Sequence, residues 1–593
     1  MKGDDKLKAL RELMKQKGYD AYIIPHGDQH NNEYIAEPDE RIKFISNFSG
    51  SNGIGLVTQN TALMWTDGRY YIQIEKELYP GWKMKKLGQN EESLTQYVSN
   101  NLSAGSTIGF DYSLMTHEKA KIIKLSLKDY KFIDDTENII DAVWGKDKPT
   151  YKGDKLMILS EKLTGMSVEN KLNYLDKYIK SQYPNLTNYR LFTSKLDNIA
   201  WLLNLRGNDI QYNPLFFSYV FLYNDSDGLY VHLFINKDKV DTKELQEYCK
   251  NNKIKIFDYN DMLKELKEPK DGITTLIDEK FSNHRIILSC ENIKYIITKS
   301  DTIEFIKSIK NQTEIEGFKK ANLKDSVALI KFFAWIEDEL LTKGRTDLNE
   351  YEIGLKNKQV REDQENFMGE SFHPICACGP NAAIIHYSQS ATSHSNISKN
   401  LILLCDTGAQ YLEGTTDITR TVHYGKPTEK EKEMYTRVLL GNLSFERLIF
   451  PKNYTLAYLD AVPRFYLNIV NEDYLHSTSH GVGHFLNVHE GPRGGFLYPG
   501  RIITNEPGYY AKDKFGIRIE NEILVVDKGN NKLGFENLTL LPYERNLIDM
   551  NLISNEFKKY IDDFHKKVFD TLSPYLKGDE KSLDYLKRKT QPL

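Results

Sequence analysis

Residues 401–423, LILLCDTGAQYLEGTTDITRTVH, place two carboxylates where a folding chain ordinarily avoids them. The unbroken apolar run predicts a strand over Leu401–Asp406, and Asp406 closes it. Asp417 follows inside a run of threonines, at the head of a second expected strand, Ile418–His423. A carboxylate taken out of water is costly unless it is paired, hydrogen-bonded or bound to a metal. These two acids therefore need partners.

Partners are available downstream. Glu506 lies in TNEPGYY (504–510), where Pro507-Gly508 forces a turn, and Glu520 lies in GIRIENEILVV (516–526). Strand-like alternation sets Ile517, Ile519, Asn521 and Ile523 on one face and Arg518, Glu520 and Glu522 on the other. That second face is expected to point into a polar site. Of fourteen histidines, eight (His373, His386, His394, His423, His476, His480, His484, His489) fall between 373 and 489, a clustering that packing does not require. Asp406, Asp417, His480, Glu506 and Glu520 together form an oxygen-rich, sulfur-free donor set suited to Mn²⁺, Co²⁺ or Zn²⁺ and unlike a cysteine cage. Four carboxylates exceed the charge of one divalent ion, which points to two ions. Two-metal sites of this kind activate water for hydrolysis.

The spacing Asp406-x10-Asp417, with HSTSHGVGHFLNVHEGP (476–492), TNEPGYY and GIRIEN (516–521), resembles the pita-bread metallopeptidases, and within them the cytosolic three-domain Xaa-Pro aminopeptidases. RIKFISNFSGSNG (41–53), LMWTDGRYY (63–71) and DNIAWLLNLRGNDIQYNPLFFSYV (197–220) are similar to that group's two creatinase-like N-terminal domains. The resemblance implies removal of the first residue from peptides with proline second, by attack of a metal-bridging hydroxide. It implies Asp406 and Asp417 on one metal, with Asp417 bridging to a second that also takes His480 and Glu506, and Glu520 bridging both. Glu506 would be the general acid/base. His386, in GPNAAIIHY (379–387), would lie near the reacting carbonyl, His489 would contact substrate and steady the oxyanion, and His476 would orient its neighbours. Arg69 would reach the peptide from a partner subunit. Substrate contacts would thus involve Arg69, His386, His480 and His489. The family more often has glycine at Ser477 and Ser479; a tuned site is expected there, with His484 packing behind it. His373, His394 and His423 carry no expected role.

Upstream, residues 1–146 alternate helices (5–17, 69–77, 91–102) with strands (Ala21–Pro25, Gly53–Thr58, Ala62–Thr66, Gly109–Asp111), the α/β pattern. GKDKPTYKG (145–153) reads as a linker. FISNFSG (44–50) and WLLNLRG (201–207) form a weak repeat, which predicts a duplicated α/β domain over 147–303. From 304 the pattern becomes α+β, with one long helix over 313–342 and a lysine-rich surface helix from 556. The expected architecture is therefore 1–146, 147–303 and a pita-bread catalytic domain, 304–593.

The 593 residues carry a net charge of -4, which provides no whole-chain footprint for nucleic acid or an anionic membrane. Five scattered cysteines (Cys249, Cys290, Cys376, Cys378, Cys405) predict reduced thiols. The charged amphipathic N-terminus lacks a signal-peptide core, so a cytoplasmic address is expected. The resemblance also implies two Mn²⁺ ions and a homodimer. Two alternatives are weighed: an Xaa-Pro dipeptidase or methionine aminopeptidase, which use the same ligand set, and a metal-free pita-bread binding module, a kind of protein that typically loses ligands. The two extra N-terminal domains disfavour the first, and the full set of five ligands disfavours the second.

Overall fold

The structure is a computed structural model that describes residues 2–88, 90–298, 300–491 and 494–593; Pro492, the last residue of the motif at 476–492, lies outside them. The chain forms two compact units. The first comprises Met1–Ser160 with Met166–Ile306, and the second Glu161–Gly165 with Lys307–Leu593.

The first unit contains two six-stranded sheets of the same topology. In one, strands Ala21–Pro25, Ile54–Thr58, Ala62–Thr66, Trp82–Lys86, Thr107–Phe110 and Lys131–Asp134 lie in the spatial order 4-3-2-1-5-6. In the other, Tyr189–Thr193, Ser218–Asp225, Gly228–Ile235, Ile254–Asp258, Thr274–Ile277 and Tyr295–Ile297 repeat that order. Strand directions also repeat: the first three strands of each sheet run antiparallel, and the outer strands join in parallel. The sequence repeat falls at matching places. Helices Arg41–Ser46 and Leu196–Leu202 each lead from the first strand of their sheet toward the second. The asparagine common to both heptapeptides ends each helical segment in the left-handed region, Asn47 at φ 70° and Asn204 at φ 51°. Asparagine tolerates that region better than most L-residues, which accounts for its place in both copies.

The second unit is α+β. Its longest helix, Gln312–Glu337, starts at a capping box in which Asn311 and Glu314 satisfy each other's backbone N–H groups. The expected span to 342 changes character at its end, because Asp338–Thr342 is wound as a π-turn. The Lys343 N–H reaches back five residues to the Asp338 carbonyl, and Gly344 at φ 65° follows. Strands Ile375–Cys378, Leu403–Thr407 and Ile418–Val422 form one antiparallel sheet. Ile502–Asn505 pairs with Asn521–Gly529 in another, and Gly508–Ala511 pairs with Phe515–Arg518 as a hairpin between them in sequence.

Two expectations are corrected here. The alternating run at 516–526 is two strands, not one, broken at Ile519-Glu520. The Ile519 N–H goes to the Pro507 carbonyl and the Glu520 N–H to the Thr419 carbonyl, so the chain changes sheets there. Glu522 consequently leaves the polar site and accepts from Asn322 Nδ2 on the long helix at 2.6 Å. The helix Asn555–Leu572 is also more than a solvated face, because it buries Ile561, Phe564, His565, Val568 and Leu572. All five cysteines are free and buried, and no helix among the described residues is long and apolar enough to cross a membrane.

Candidate metal centre

Each of the four acids sits at or beside a strand end. Asp406 is the penultimate residue of Leu403–Thr407, facing Thr419 on the neighbouring strand. Asp417 immediately precedes Ile418–Val422, Glu506 follows Ile502–Asn505, and Glu520 precedes Asn521–Gly529. Bonds between the two sheets bring these ends together. The Glu520 N–H donates to the Thr419 carbonyl, Thr419 Oγ1 donates to Glu520 Oε2 at 2.7 Å, and Arg420 Nη1 donates to the Glu520 carbonyl at 2.8 Å. Glu506 is set by its own N–H donating to the Thr478 carbonyl at 2.9 Å.

His480 joins from the loop at 476–481. Its N–H donates to Thr504 Oγ1, and its carbonyl accepts the Thr504 N–H. Its Nδ1–H donates to the Gly481 carbonyl at 2.8 Å, which leaves the Nε2 lone pair facing Asp417 Oδ2 at 3.3 Å and Glu506 Oε1 at 3.5 Å. Ligand atoms fall into overlapping triads, each within 4.8 Å: Asp406, Asp417 and Glu520 in one, and His480, Glu506 and Glu520 in another. Glu520 is common to both. A third triad, Asp417, His480 and His489, includes the histidine whose ring meets that of His480 edge-on at 4.4 Å between centroids.

Electrostatics argue that these residues fit divalent ions. Burial, then the charges of neighbouring carboxylates, pushes Asp417, Glu506 and Glu520 well above the usual carboxylate range. Asp406 Oδ1 and Glu520 Oε1 are buried with no hydrogen-bond partner. Arg518 is the guanidinium on the centre, donating from Nη2 to Asp406 Oδ2 at 2.5 Å. Four carboxylates and one guanidinium leave three negative charges, which one divalent cation would bring to −1 and two to +1, so the group requires cationic compensation. Orphaned carboxylate oxygens are the donors such ions take.

Residues 316–527 match the metallopeptidase family M24 and 531–593 the C-terminal region of peptidase M24; 6–143 and 147–314 each match a Creatinase/Prolidase N-terminal domain. A probable Xaa-Pro aminopeptidase P of Laccaria bicolor is 39% identical over 612 residues, covering 99% of this chain and 93% of that one. Xaa-Pro aminopeptidase 1 of Dictyostelium discoideum is 39% identical over 99% of this chain and 96% of its own. The chain belongs to the Xaa-Pro aminopeptidase P family. Among solved structures, the X-prolyl aminopeptidase of Caenorhabditis elegans, described as a cytosolic enzyme with a di-nuclear active site, superposes with a TM-score of 0.92 at 32% identity, covering 100% of both chains.

Within this family fold, two side chains that sequence reasoning gave no role tie the centre together. Arg518 also donates from Nη1 to Tyr510 Oη at 2.7 Å, and Tyr510 Oη donates to His476 Nε2 at 2.8 Å. His476 Nδ1–H donates to the Ser477 carbonyl and lies 3.8 Å from Glu506 Oε2. The network thus runs from Asp406 through Arg518, Tyr510 and His476 toward Glu506. A guanidinium and a phenol within the acid-bearing motifs were the available signal. Arg464 and Asp460 form a second brace: Arg464 Nη2 donates to the His476 carbonyl at 2.8 Å, and Asp460 accepts from Thr478 Oγ1. They lie outside any motif, so only the fold reveals them.

The remaining candidates are distributed as follows. His386 is half-buried beyond the short helix Gly379–Ala383, next to Ile385, whose carbonyl accepts from Arg518 Nη2 at 3.4 Å. His484 is buried beside Phe318, 5.9 Å between ring centroids. Ser477 Oγ donates to the Ser479 carbonyl, and Ser479 Oγ is buried without a partner. Arg69 belongs to the other compact unit, where its guanidinium forks onto Asp67 (2.8 and 2.9 Å) and meets Glu33 at 3.4 Å. His373 bonds the Gln389 carbonyl and His394 the Ser390 carbonyl, while His423 Nδ1 accepts from the Gly425 N–H.

Proposed function

We propose that this chain is a metal-dependent aminopeptidase that removes the N-terminal residue from peptides with proline in second position. The observation that carries this is the pair of donor triads sharing Glu520, with two buried carboxylate oxygens left without partners. The full-length relatives named Xaa-Pro aminopeptidase support the same reading.

Asp406, Asp417 and Glu520 would hold one ion, and His480, Glu506, Glu520 and Asp417 the other. The donor set and the family resemblance favour Mn²⁺, with Co²⁺ or Zn²⁺ tolerated. When bound, two such ions supply Lewis acidity, polarising the scissile carbonyl and lowering the pKa of the attacking water. Glu506 takes the proton from that water and returns it to the departing proline nitrogen. His489, beside His480, donates to the developing oxyanion, and His386 borders the reacting carbonyl. His476, held by Tyr510, orients Glu506. An Xaa-Pro bond is a tertiary amide with no N–H and a fixed φ, so recognition cannot rest on that N–H. The free N-terminal amine pairs with the acidic centre instead. Arg69 is proposed to contact the peptide from the partner subunit.

Homodimerisation fits the exposed apolar side chains Tyr454, Tyr458, Phe465, Ile469 and Leu475 within one segment of the catalytic unit. A cytoplasmic address, and domains at 1–146, 147–303 and 304–593, complete the proposal. Its test is turnover of Xaa-Pro-Yaa tripeptides against Xaa-Pro dipeptides by apoprotein reconstituted with each metal in turn. Tripeptide cleavage with Mn²⁺ is expected; activity confined to dipeptides would overturn the specificity, and inertness with every metal the enzyme assignment.

A further inference from the structure

Behind His480 and His489 lies a buried ion cluster that none of the proposed roles uses. Glu490 follows His489 in the chain and is 2% exposed. Its Oε1 accepts from Lys307 Nζ at 2.6 Å, and its Oε2 accepts from Lys310 Nζ. Both lysine side chains are also buried. Burying one carboxylate with two ammonium groups costs desolvation energy that a well-packed apolar trio would avoid. Stability alone is therefore a weak reason for this arrangement, and what the cluster holds suggests another.

The Glu490 backbone N–H donates to the Gly481 carbonyl at 2.8 Å. That same carbonyl accepts the Nδ1–H of His480, the bond that turns Nε2 toward Asp417 and Glu506. Gly481 is bridged to Glu490 on one side and to Ile503 on the other. A Cβ at Gly481 would lie 2.8 Å from the Glu490 carbonyl, so the two segments are in direct backbone contact. On the far side the lysines are anchored as well: Ile309 bridges Arg501, and the Lys310 N–H donates to the Gly500 carbonyl at 2.9 Å.

We propose that Lys307, Lys310 and Glu490 are positioning residues, a buried clamp that fixes the 480–481 and 489–490 backbones and thereby the ring orientations of His480 and His489. The clamp acts through the Gly481 carbonyl on His480 and through the chain itself on His489. This rests on the aminopeptidase reading of the same centre. Partners that fix a ligating histidine's tautomer typically change metal affinity or activity by about 10–100-fold when removed, and this clamp is expected to fall in that range.

The experiment compares Glu490→Gln, Lys310→Met and, as a control, Lys589→Met, which breaks the part-buried Lys589–Glu544 pair near the C-terminus (2.7 Å). Mn²⁺ affinity of each apoprotein is read by calorimetry, and kcat and KM on an Xaa-Pro-Yaa peptide at a temperature where every variant is folded. Expected are a tenfold or greater weakening of Mn²⁺ binding and a fall in kcat for the two clamp variants, with KM little changed. The control should lose thermal stability while keeping wild-type metal affinity and kcat. Folded clamp variants with wild-type affinity and kcat, or a control that falls equally, would overturn the proposal. If Glu490→Gln does not fold, Lys310→Met decides alone, because Glu490 retains Lys307. Should the wild type bind Mn²⁺ yet cleave no Xaa-Pro peptide, the functional reading fails while the affinity comparison still tests the clamp.

Discussion

Gly516 is the position where one added carbon should do most harm at a distance from the ligands. A Cβ built there would lie 1.8 Å from the Ala382 carbonyl oxygen and 2.4 Å from its carbon. Ordinary contact needs about 3.4 Å, so Gly516→Ala must drive the hairpin Gly508–Ala511/Phe515–Arg518 and the 379–383 helix apart by about 1.5 Å. Both partners carry site residues: Arg518, the guanidinium on Asp406, lies two residues beyond Gly516, and His386 lies four beyond Ala382. A displacement of about 1 Å in a positioned group costs on the order of 100-fold in rate, and overpacking costs a further 1–3 kcal/mol or so of stability. Steady-state kcat/KM on an Xaa-Pro tripeptide should fall about 100-fold or more, with a lower melting temperature. Gly414→Ala is the control, since the nearest atoms to its Cβ would be those of Phe318 at an ordinary 3.4 Å, and it should behave as wild type. A Gly516→Ala enzyme with unimpaired kcat/KM would refute the claim that this backbone contact sets the site's geometry.

Glu506→Gln should fold normally and lose about 100- to 10,000-fold in turnover, the range for a lost general acid/base; near-normal kcat would remove its proposed role. His480→Ala should weaken metal binding and turnover together, as measured by titrating Mn²⁺ into apoprotein. Chelation of the wild type should lower its melting temperature: ligand at 100 times its Kd contributes about 2.7 kcal/mol, and an unchanged transition would argue against metals at this centre. Acid stability should depend on His565, whose imidazole burial holds down to about 3 from 6.5. Because the unfolded chain takes up that proton first, its contribution is complete above pH 6.5 and lost as the pH falls toward 3. The loss is about 2 kcal/mol at pH 5. Replacing His565 by Gln, which retains an acceptor for the Tyr543 N–H, should flatten the acid limb of denaturant midpoints against pH; an unchanged slope would contradict this assignment.

Much of the architecture was legible because it is locally encoded. Alternation and apolar runs located Ala21–Pro25 and Ala62–Thr66 to the residue, and the strand before Asp406 within two. The heptapeptide repeat anticipated two sheets of one topology, since each copy carries the asparagine its left-handed turn favours. The five proposed ligands were likewise readable, because burying an acid at the end of an apolar strand demands a partner wherever the chain goes.

Other features exist only once distant segments meet. The change of sheet at Ile519-Glu520 depends on carbonyls of Pro507 and Thr419, which periodicity cannot reveal. The roles of Arg518 and Tyr510, the Arg464–Asp460 brace and the Glu490 cluster are also tertiary. Lys307 and Glu490 are 183 residues apart, and nothing local distinguishes that lysine from a solvated one. The amino-acid order by itself determined which side chains could bind ions and which segments would be strands, because both follow from chemistry and short-range periodicity. Folding alone decided which carboxylate oxygens face each other and which imidazole nitrogen points inward, because those orientations are set by hydrogen bonds closed across long stretches of chain.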